Sequence, residues 1–372
     1  MKAGWQIKTL GDVIQLPYGK PLDPKDRNPN GLYPAYGANG EKDRTDKFYR
    51  DSPSIIVGRK GSAGEITLTE ERFWPLDVTY FVEYDCQQYN LQFLYYLLVT
   101  LDLPSMAKGV KPGINRNEVY ALPVMVPPLP EQQRIVTLLD EAFEGIATAK
   151  VNAERNLQNA RSIFESHLQS VFTQRGPGWV ETKLEEIGKT QTGSTPKTND
   201  RANYGDFISF VKPGDFNTDG TLDYDKDGLS ESGAAGARKV PAGSVLMVCI
   251  GATIGKCGYC DQDVTTNQQV NALTPSDGSS NRFIYYQMLT ESFQRKVIHA
   301  SGQATLPIIN KSKWSALSVW LPPTVAEQAT IATKFDALLE EVQRLEAIYQ
   351  QKLTALDELK KSLLHRAFNG DL

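Results

Sequence analysis

The sequence predicts an α+β protein in which two mixed α/β domains alternate with two long helices that pair as an antiparallel coiled coil. Three observations lead to this prediction. A segment of more than forty residues occurs twice at a constant offset, each copy has the apolar period of a helix, and the segments between them contain short apolar runs broken by turn residues. We therefore expect an internal repeat with pseudo-twofold symmetry.

The repeated segment begins at two proline pairs. PPLPEQQRIVTLLDEAFEGI starts at Pro127, and PPTVAEQATIATKFDALLEEV starts at Pro322. Glu131 corresponds to Glu327 at an offset of 196 residues, and the same offset still relates Phe172 to Phe368. Because loops absorb insertions and helices do not, a repeat without a gap is typical of one rigid element.

Periodicity identifies this element as a helix. Apolar or small residues recur at steps of three and four between positions 135 and 171, and again between 331 and 356. That spacing predicts one apolar face on each helix. The proline pairs stand where a helix can begin but cannot continue backwards. About 42 residues at 1.5 Å each make a rod of roughly 60 Å.

A narrow apolar stripe of this length needs a partner of similar length, and the other copy is the obvious one. The globular segment between the copies can carry the chain back along the rod, which favours an antiparallel pair. Two alternatives remain open. Each helix packs only on its own domain, or the chain dimerises through its helices.

The segments in front of the helices repeat more loosely. Trp5 in WQIKTLGDV corresponds to Trp179 in WVETKLEEI at an offset of 174 residues, so the second copy gains 22 residues before its helix. SIIVG and SVLMVCIG are similar apolar runs, and turn residues surround them. We expect mixed α/β domains over residues 1–128 and 177–323, and helical regions over 129–176 and 324–372.

Composition limits the possible partners. The 372 residues carry a formal charge of −4, so binding to a polyanion has to be local. The start MKAGWQIKTLGD lacks the apolar core of a signal peptide, and no apolar run approaches the roughly 18 residues of a membrane span. These features predict a cytoplasmic protein. The pair in CGYC has zinc-ligand spacing but lacks a second such pair, which favours buried strand residues over a metal site.

No catalytic motif is complete. GATIGK, at 251–256, has three residues between its glycines and is followed by Cys257, whereas a Walker A loop needs four and then Ser or Thr after the lysine. Only three histidines are present, which leaves little for acid-base chemistry. The glycine-rich and Asn/Asp-Pro-Pro-aromatic motifs of an adenine methyltransferase are also missing from the sequence. The chain is predicted to be non-catalytic, with no cofactor or metal of its own.

Binding is better supported, because positive residues lie in glycine-rich turns. Arg59 and Lys60 in GRKGSAG stand between glycines that allow backbone amides to approach a phosphate or a base edge. Taken alone, any such residue is more often ordinary surface charge; together they favour an anion-facing surface. YGKPLDPKDR and AKGVKPGINRNE add Lys20, Lys25, Arg27, Lys108, Lys111 and Arg116, and the second domain adds Lys197, Lys212, Lys256 and the polar Gln303.

At these motifs the chain closely resembles the DNA specificity subunit of type I restriction-modification systems. The motifs are YGKPLDPKDRNPNGLYPAYGANG, SIIVGRKGSAG, GSTPKT, TTNQQVNAL, the two Pro-Pro and Glu-Gln helix starts and the ending LLHRAFNGDL. The likeness covers essentially the whole chain. It implies two target recognition domains, each reading one half of a bipartite, asymmetric DNA site.

The resemblance also implies partners and DNA-contacting residues. Two modification subunits would bind around the helices and bring S-adenosylmethionine, and restriction subunits with ATP and Mg would add translocation and cleavage. A 60 Å helix pair would limit the half-site separation to below roughly 18 base pairs at 3.4 Å each. The candidates for phosphate or guanine contacts are Arg59, Lys60, Lys197, Lys212 and Lys256, with Lys20 and Lys111 as further DNA-binding residues. The candidates for base edges or for holding loops are Tyr36, Asn39, Asn267, Gln268 and Gln303.

A second hypothesis belongs to another functional class. The same architecture suits a coiled-coil scaffold whose two domains bind protein or another ligand without DNA. The two hypotheses differ in whether DNA methylation depends on this chain.

Overall fold

A computed structural model describes residues 4–302 and 306–372. They form two compact units, unit 1 with Met1–Glu154 and Gln351–Leu372, and unit 2 with Arg155–Gln350. Each unit combines a mixed α/β domain with segments of both long helices. Within the described ranges, no helix is both long and apolar enough to cross a membrane.

The domain of unit 1 is built from small sheets, antiparallel except where β3 pairs in parallel with β7, and from two short helices. Buried strand β5 is the middle of a three-stranded sheet in the order β6-β5-β8, and β3 is the middle of the sheet β4-β3-β7. Two further ladders join β1 to β10 and β2 to β9. The elements are β1 Gln6–Thr9, β2 Ile14–Gln15, β3 Tyr33–Gly37, β4 Gly40–Thr45, β5 Ser54–Gly58, β6 Ile66–Thr69, β7 Trp74–Pro75, β8 Thr79–Phe81, β9 Glu83–Tyr84, α1 Leu91–Thr100, α2 Arg116–Tyr120 and β10 Pro123–Val126.

The long helix α3 follows over Leu129–Gln174, and the domain of unit 2 comes next. Its two four-stranded sheets have the orders β12-β19-β16-β17 and β14-β13-β18-β15, and β11 pairs with β20. The elements are β11 Val180–Lys183, α4 Leu184–Ile187, β12 Gly188–Thr192, β13 Tyr204–Val211, β14 Gly228–Leu229, α5 Glu231–Ala235, β15 Lys239–Val240, β16 Val245–Val248, β17 Cys257–Tyr259, β18 Val264–Thr266, β19 Val270–Pro275, α6 Asn281–Leu289, α7 Glu291–Ser301, α8 Lys311–Ser315, β20 Ser318–Leu321 and the long helix α9 Val325–Phe368.

The two long helices run antiparallel within unit 1. Arg134 near the start of α3 donates to the carbonyl oxygen of Leu372 at 2.9 Å. Further along α3, the ring of Phe143 lies 4.8 Å below the ammonium of Lys360. Lys150 then forms an ion pair with Asp357. As residue numbers increase along α3, the numbers of the contacting residues at the C-terminal end of the chain decrease, so the two helices are antiparallel.

Unit 2 contains the same kind of pairing in its own helix segments. Arg161 forms an ion pair with Glu346 at 2.7 Å, and Phe172 stacks on Phe335 with ring centroids 5.8 Å apart. The predicted α+β fold with an antiparallel, intramolecular helix pair is therefore confirmed. The predicted apolar face is buried at Ile135, Leu139, Ile146, Ala153, Ala160, Leu168 and, in the second helix, Phe335 and Val342.

The repeated Glu-Gln motif fastens each long helix to its own domain. The buried side chain of Gln132 donates to the carbonyls of Gln88 and Pro127 at 3.0 and 2.9 Å, and accepts from the amide of Asn90 at 2.8 Å. Asn90 caps helix α1. In unit 2, Gln328 likewise accepts from the amide of Ser280, the cap of helix α6, at 2.8 Å. The glutamine occurs in both repeats because the backbone N–H groups at the start of each domain helix have no partner within that helix and need an acceptor from elsewhere.

A second junction uses the far end of the other long helix. In unit 1, Phe93 of α1 packs on Phe368 of α9 with centroids 5.1 Å apart. In unit 2, Phe283 of α6 packs on Phe172 of α3 at 5.2 Å. Phe172 and Phe368 are partners in the sequence repeat, so the repeat is reproduced in the packing. Each domain therefore contacts both long helices.

The three cysteines of the second domain are buried strand or loop residues. The thiols of Cys257 and Cys260 donate to the carbonyls of Gly255 and Ser244, each at 3.2 Å. Burial raises the pKa of the Cys249 thiol to about 12 and that of Cys260 to about 11. The burial of these thiols and their bonds to backbone carbonyls agree with the buried-residue interpretation of CGYC.

Replacing the buried glutamine tests the junction. Gln132→Ala leaves the Asn90 amide and two carbonyls without their partner, so we expect a loss of about 1–3 kcal/mol in the free energy of unfolding. The matched control is Gln133→Ala, because Gln133 is the exposed neighbour on the same turn. Denaturant unfolding of both variants is the measurement. Equal losses in the two variants would mean that the junction contributes nothing.

Thiol titration tests the burial of the cysteines. Cys86 is exposed, whereas Cys249, Cys257 and Cys260 are buried. At about pH 8 the buried thiols stay protonated because their pKa values are raised, so a thiol reagent should modify one cysteine of the native chain. Cys86→Ser should remove this reaction, and denaturation should expose the other three. Rapid modification of two or more native thiols would contradict the burial.

Candidate nucleic-acid interface

The loop that follows β5 presents Arg59 and Lys60 on a fixed backbone. Their amides donate to the carbonyl of Val78 at 2.9 and 3.2 Å, and the carbonyl of Arg59 accepts from the amide of Ile114 at 3.2 Å. Gly64 closes the loop with φ +86°, and a Cβ atom there would lie 2.3 Å from the backbone nitrogen of Pro104. The loop is therefore held between two other segments of unit 1.

The Arg59 side chain lies against an exposed tyrosine. Its Nε and Nη2 donate to the carbonyl of Asp77 at 3.2 and 2.6 Å, and its guanidinium lies 5.2 Å from the ring of Tyr18. The guanidinium of Arg116 lies 5.0 Å from the same ring and donates to the carbonyl of Leu16 at 3.1 Å. The face of an aromatic ring attracts each cation and leaves N–H donors of the guanidinium available. Tyr18 is 50% exposed.

These side chains line a depression of about 290 Å³ together with Lys60, Tyr80 and Asn115. Among the described residues, no carboxylate forms an ion pair with Arg59, Lys60 or Arg116, although other basic residues of unit 1 are paired. Those pairs include Arg27–Asp43, Arg44–Glu41, Lys47–Asp26, Arg50–Glu83 and Lys108–Glu118. The depression is thus a local concentration of unbalanced positive charge in an acidic chain.

The other predicted cations of unit 1 lie on adjoining segments. Lys111 is exposed in the loop whose Pro112 carbonyl accepts from the amide of Gly61 at 2.9 Å. Lys20 is exposed two residues after Tyr18, and its ammonium lies 4.6 Å from the ring of Tyr49. The structure therefore brings Arg59, Lys60 and Lys111 together.

Tyr36 and Asn39 occupy different environments. Tyr36 is 8% exposed, donates its hydroxyl to Thr69 at 3.2 Å and packs on Phe73. This placement supports the interpretation that it holds a loop. Asn39 is exposed in the turn between β3 and β4, next to Ala38, whose carbonyl lies 2.5 Å from the position of a Cβ atom on Gly58. Asn39 is therefore near the start of the Arg59 loop.

Unit 2 repeats this backbone arrangement with other side chains. The amide of Cys249 donates to Gln269 at 2.7 Å, its carbonyl accepts from Ile309 at 2.9 Å, and the amide of Gly251 donates to Pro307 at 3.0 Å. These bonds match those of Arg59 and Gly61, so Cys249 and Ile250 stand where unit 1 has Arg59 and Lys60. Unit 2 has no cation at these two positions.

The predicted cations of unit 2 lie elsewhere. Lys212 is paired with Asp227 at 2.8 Å, and Lys256 donates its ammonium to the carbonyl of Phe216 beside a separate cavity of about 780 Å³. Lys197 is exposed, and its carbonyl accepts from the Asn203 side chain at 3.2 Å. The ammonium groups of Lys212 and Lys256 therefore already have partners within the protein.

A polar cluster surrounds the turn at Gly193, which corresponds to Gly19 in the sequence repeat. Gln268 is exposed and accepts from the Thr195 hydroxyl, while the Asn267 side chain binds the backbone and side chain of Gln269 at 3.0 Å. Arg238, which sequence reasoning missed, donates from Nη1 to the carbonyl of Thr192 at 2.8 Å. Its amide donates to the Ser194 hydroxyl at 3.1 Å.

Two signals could have identified the missed residues. Tyr18 precedes a glycine in the first repeat just as Thr192 does in the second, and Arg238-Lys239 stands directly before a buried strand residue. Gln303, the remaining predicted contact, lies outside the described residues. Among these described residues, no group of three or more His, Cys, Asp and Glu side chains could hold a metal ion.

The chain is similar to known proteins over most of its length. A family model described as the type I restriction modification DNA specificity domain matches residues 2–156 and 177–355. The type I restriction enzyme HindI specificity subunit of Haemophilus influenzae is 30% identical over 202 residues, which cover 52% of this chain and 42% of that protein. The chain thus spans less than half of this relative. The EcoDI specificity subunit of Escherichia coli is 21% identical over 99% of this chain and 88% of its own length.

A solved structure shares the fold. It is described as the structural basis of complex assembly and conformational transition of the type I R-M system, and one of its chains superposes with a TM-score of 0.79 at 20% identity. The match covers 100% of this chain and 99% of that chain. Because the family model matches two segments that together make up most of the sequence, the chain belongs to the type I restriction-modification DNA specificity family.

Proposed function

We propose that this chain is the DNA-reading subunit of a type I restriction-modification complex. Residues 1–128 and 177–323 act as two target recognition domains, and residues 129–176 and 324–372 act as the two helical regions between them. One observation carries the proposal: both domains hold the same loop by equivalent backbone bonds, but Arg59 and Lys60 are replaced by Cys249 and Ile250. A shared frame with different loop side chains suits two domains that contact DNA differently.

The DNA site is accordingly bipartite and asymmetric. Hydrogen bonds to phosphates position a protein on the duplex, and side chains at base edges select the sequence. In unit 1 the candidates for these contacts are Arg59, Lys60, Lys111, Lys20 and Asn39. In unit 2 they are Lys197, Gln268, Asn267 and Arg238. Lys212, Lys256 and Tyr36 remain predicted DNA-binding residues, although their polar groups bind partners within the protein. Gln303 also remains a predicted contact, outside the described residues.

The reaction is supplied by partner subunits. Two modification subunits bind the helical regions and use S-adenosylmethionine to methylate adenine, and restriction subunits that use ATP and Mg join for cleavage. The complex works in the cytoplasm. A net charge of −4 suits this division, because a chain with only local positive charge depends on its partners for part of its DNA affinity.

Mapping DNA methylation tests the function. The chain is co-expressed with the methyltransferase encoded beside it, and methylated adenines are mapped by single-molecule sequencing. We expect a bipartite, asymmetric motif that disappears when the gene for this chain is deleted. Exchange of residues 1–128 for those of a relative should change one half of the motif. Methylation that does not depend on the chain would favour the scaffold hypothesis.

Charge reversal tests the unit 1 loop. Arg59→Glu with Lys60→Glu should lower DNA affinity of the complex roughly a hundredfold or more, because each charge-assisted contact is worth about 1.5–3 kcal/mol. Size-exclusion chromatography should show that the complex still assembles.

The matched control reverses two exposed lysines of unit 2 that lie on other elements, Lys183→Glu with Lys189→Glu. It changes the net charge by the same amount and should keep most of the affinity. Unchanged binding in the Arg59 and Lys60 variant would remove both residues from the interface.

A further inference from the structure

The depression around Tyr18 contains three positively charged side chains that have no carboxylate partner among the described residues. Arg59 and Lys60 come from one loop and Arg116 from a second segment, and all three line the same depression. The two guanidinium carbons lie 5.2 and 5.0 Å from one ring centroid, so they are at most about 10 Å apart. Like charges at such separations repel one another, and an anion bound between them offsets the repulsion.

The lining of the depression favours an anion over a neutral ligand. Three of its lining residues are basic, Arg59, Lys60 and Arg116, and none is acidic. The Asn115 side-chain oxygen is occupied by the amide of Asn117 at 2.9 Å. The Nε atom of Arg116 is buried and lacks a hydrogen-bond partner within the described residues. A ligand that binds here meets chiefly donors and positive charge.

Protein contacts hold these donors in place without neutralising them. Arg59 and Arg116 each donate to a backbone carbonyl, of Asp77 and Leu16 respectively, and both lie against Tyr18. A carbonyl fixes a guanidinium but removes no charge, and each guanidinium has five N–H groups, so donors remain. A volume of about 290 Å³ equals roughly ten water molecules at about 30 Å³ each, which accommodates one tetrahedral anion.

We propose that this depression binds one phosphodiester group of the DNA, with Arg59, Arg116 and Lys60 as donors and Tyr18 as the platform that positions the two guanidinium groups. The inference rests on the proposed function and deepens it, because it assigns these residues to the backbone and not to a base. The site belongs to unit 1 alone, since Cys249 and Ile250 stand at the Arg59 and Lys60 positions of unit 2. It fixes the register of the first half-site without selecting its sequence.

Neutral phosphate analogues test the assignment in the assembled complex. Duplexes containing the methylated motif each receive one methylphosphonate in the first half-site, and affinity is measured for the wild type, Arg116→Ala and Arg59→Gln. We expect one position, or two adjacent ones, where the neutral group weakens wild-type binding about tenfold, as for one lost charge-assisted contact. At that position the variants should lose little further affinity.

The salt dependence supplies a second readout. Removing one phosphate contact lowers the slope of log affinity against log salt by about 0.9. Arg116→Ala should show this decrease and leave the methylated motif unchanged. Lys108→Ala is the matched control, because Lys108 precedes the same loop but is already paired with Glu118 at 2.8 Å. The control should keep the wild-type slope.

Three results would overturn the phosphate site. The first is a changed methylation motif for the Arg116→Ala complex. The second is a decrease of the salt slope in Lys108→Ala equal to that in Arg116→Ala. The third is that, at every position, the affinity loss from the variant adds to the loss from the methylphosphonate. Assembly of each variant complex is checked by size-exclusion chromatography, and the wild-type scan alone shows whether a sensitive phosphate exists. If the wild-type complex neither binds nor methylates a motif, the proposed function fails; if it does both, failure concerns this site only.

Discussion

The rest of the structure depends on a shared hydrophobic core in each unit. In unit 1 the core contains Phe93 of the domain together with Leu364, Ala367 and Phe368 of α9. In unit 2 it contains Phe283 together with Leu168 and Phe172 of α3 and with Phe335 of α9. Burying one such side chain contributes about 1.5–3 kcal/mol, so the helix ends are part of each domain's stability. The last helix of the chain thus completes the first domain.

This constraint explains why the repeat is strict in the helices and loose in the domains. Gln132 and Gln328 bind the capping residues of the domain helices, and Phe368 and Phe172 fill the domain cores. A one-residue insertion beside any of them would rotate that side chain by about 100° around its helix and away from its contact. The loops beyond the core have no such requirement. The backbone bonds of these loops do not involve their side chains, so positions such as 60 and 250 can carry different residues.

The long helices were the most predictable elements. Their apolar period and the flanking prolines predicted both helices, and the globular insert predicted their antiparallel pairing. The Arg59 loop was predictable because glycines flank it. Arg238 and Tyr18 were missed, because their role depends on contacts with Thr192 and Arg116, which are distant in sequence. Tyr36 was named as a possible base contact or loop-holding residue; alternation within a short strand could not show that Phe73 and Thr69 would cover it.

Under the proposed function, the two units contribute unequally to the electrostatics of DNA binding. Unit 1 concentrates Arg59, Lys60 and Arg116 without carboxylate partners among the described residues. In unit 2, Arg238 binds the neutral Thr192 and Ser194, and Lys212 is paired with Asp227. Counterion release grows with the number of phosphates neutralised. The salt dependence therefore resides mainly in the first half-site, and the second half-site depends more on hydrogen bonds. A chain with a net negative charge can bind DNA in this way, because positive charge is needed only where the protein contacts the phosphate backbone of the DNA.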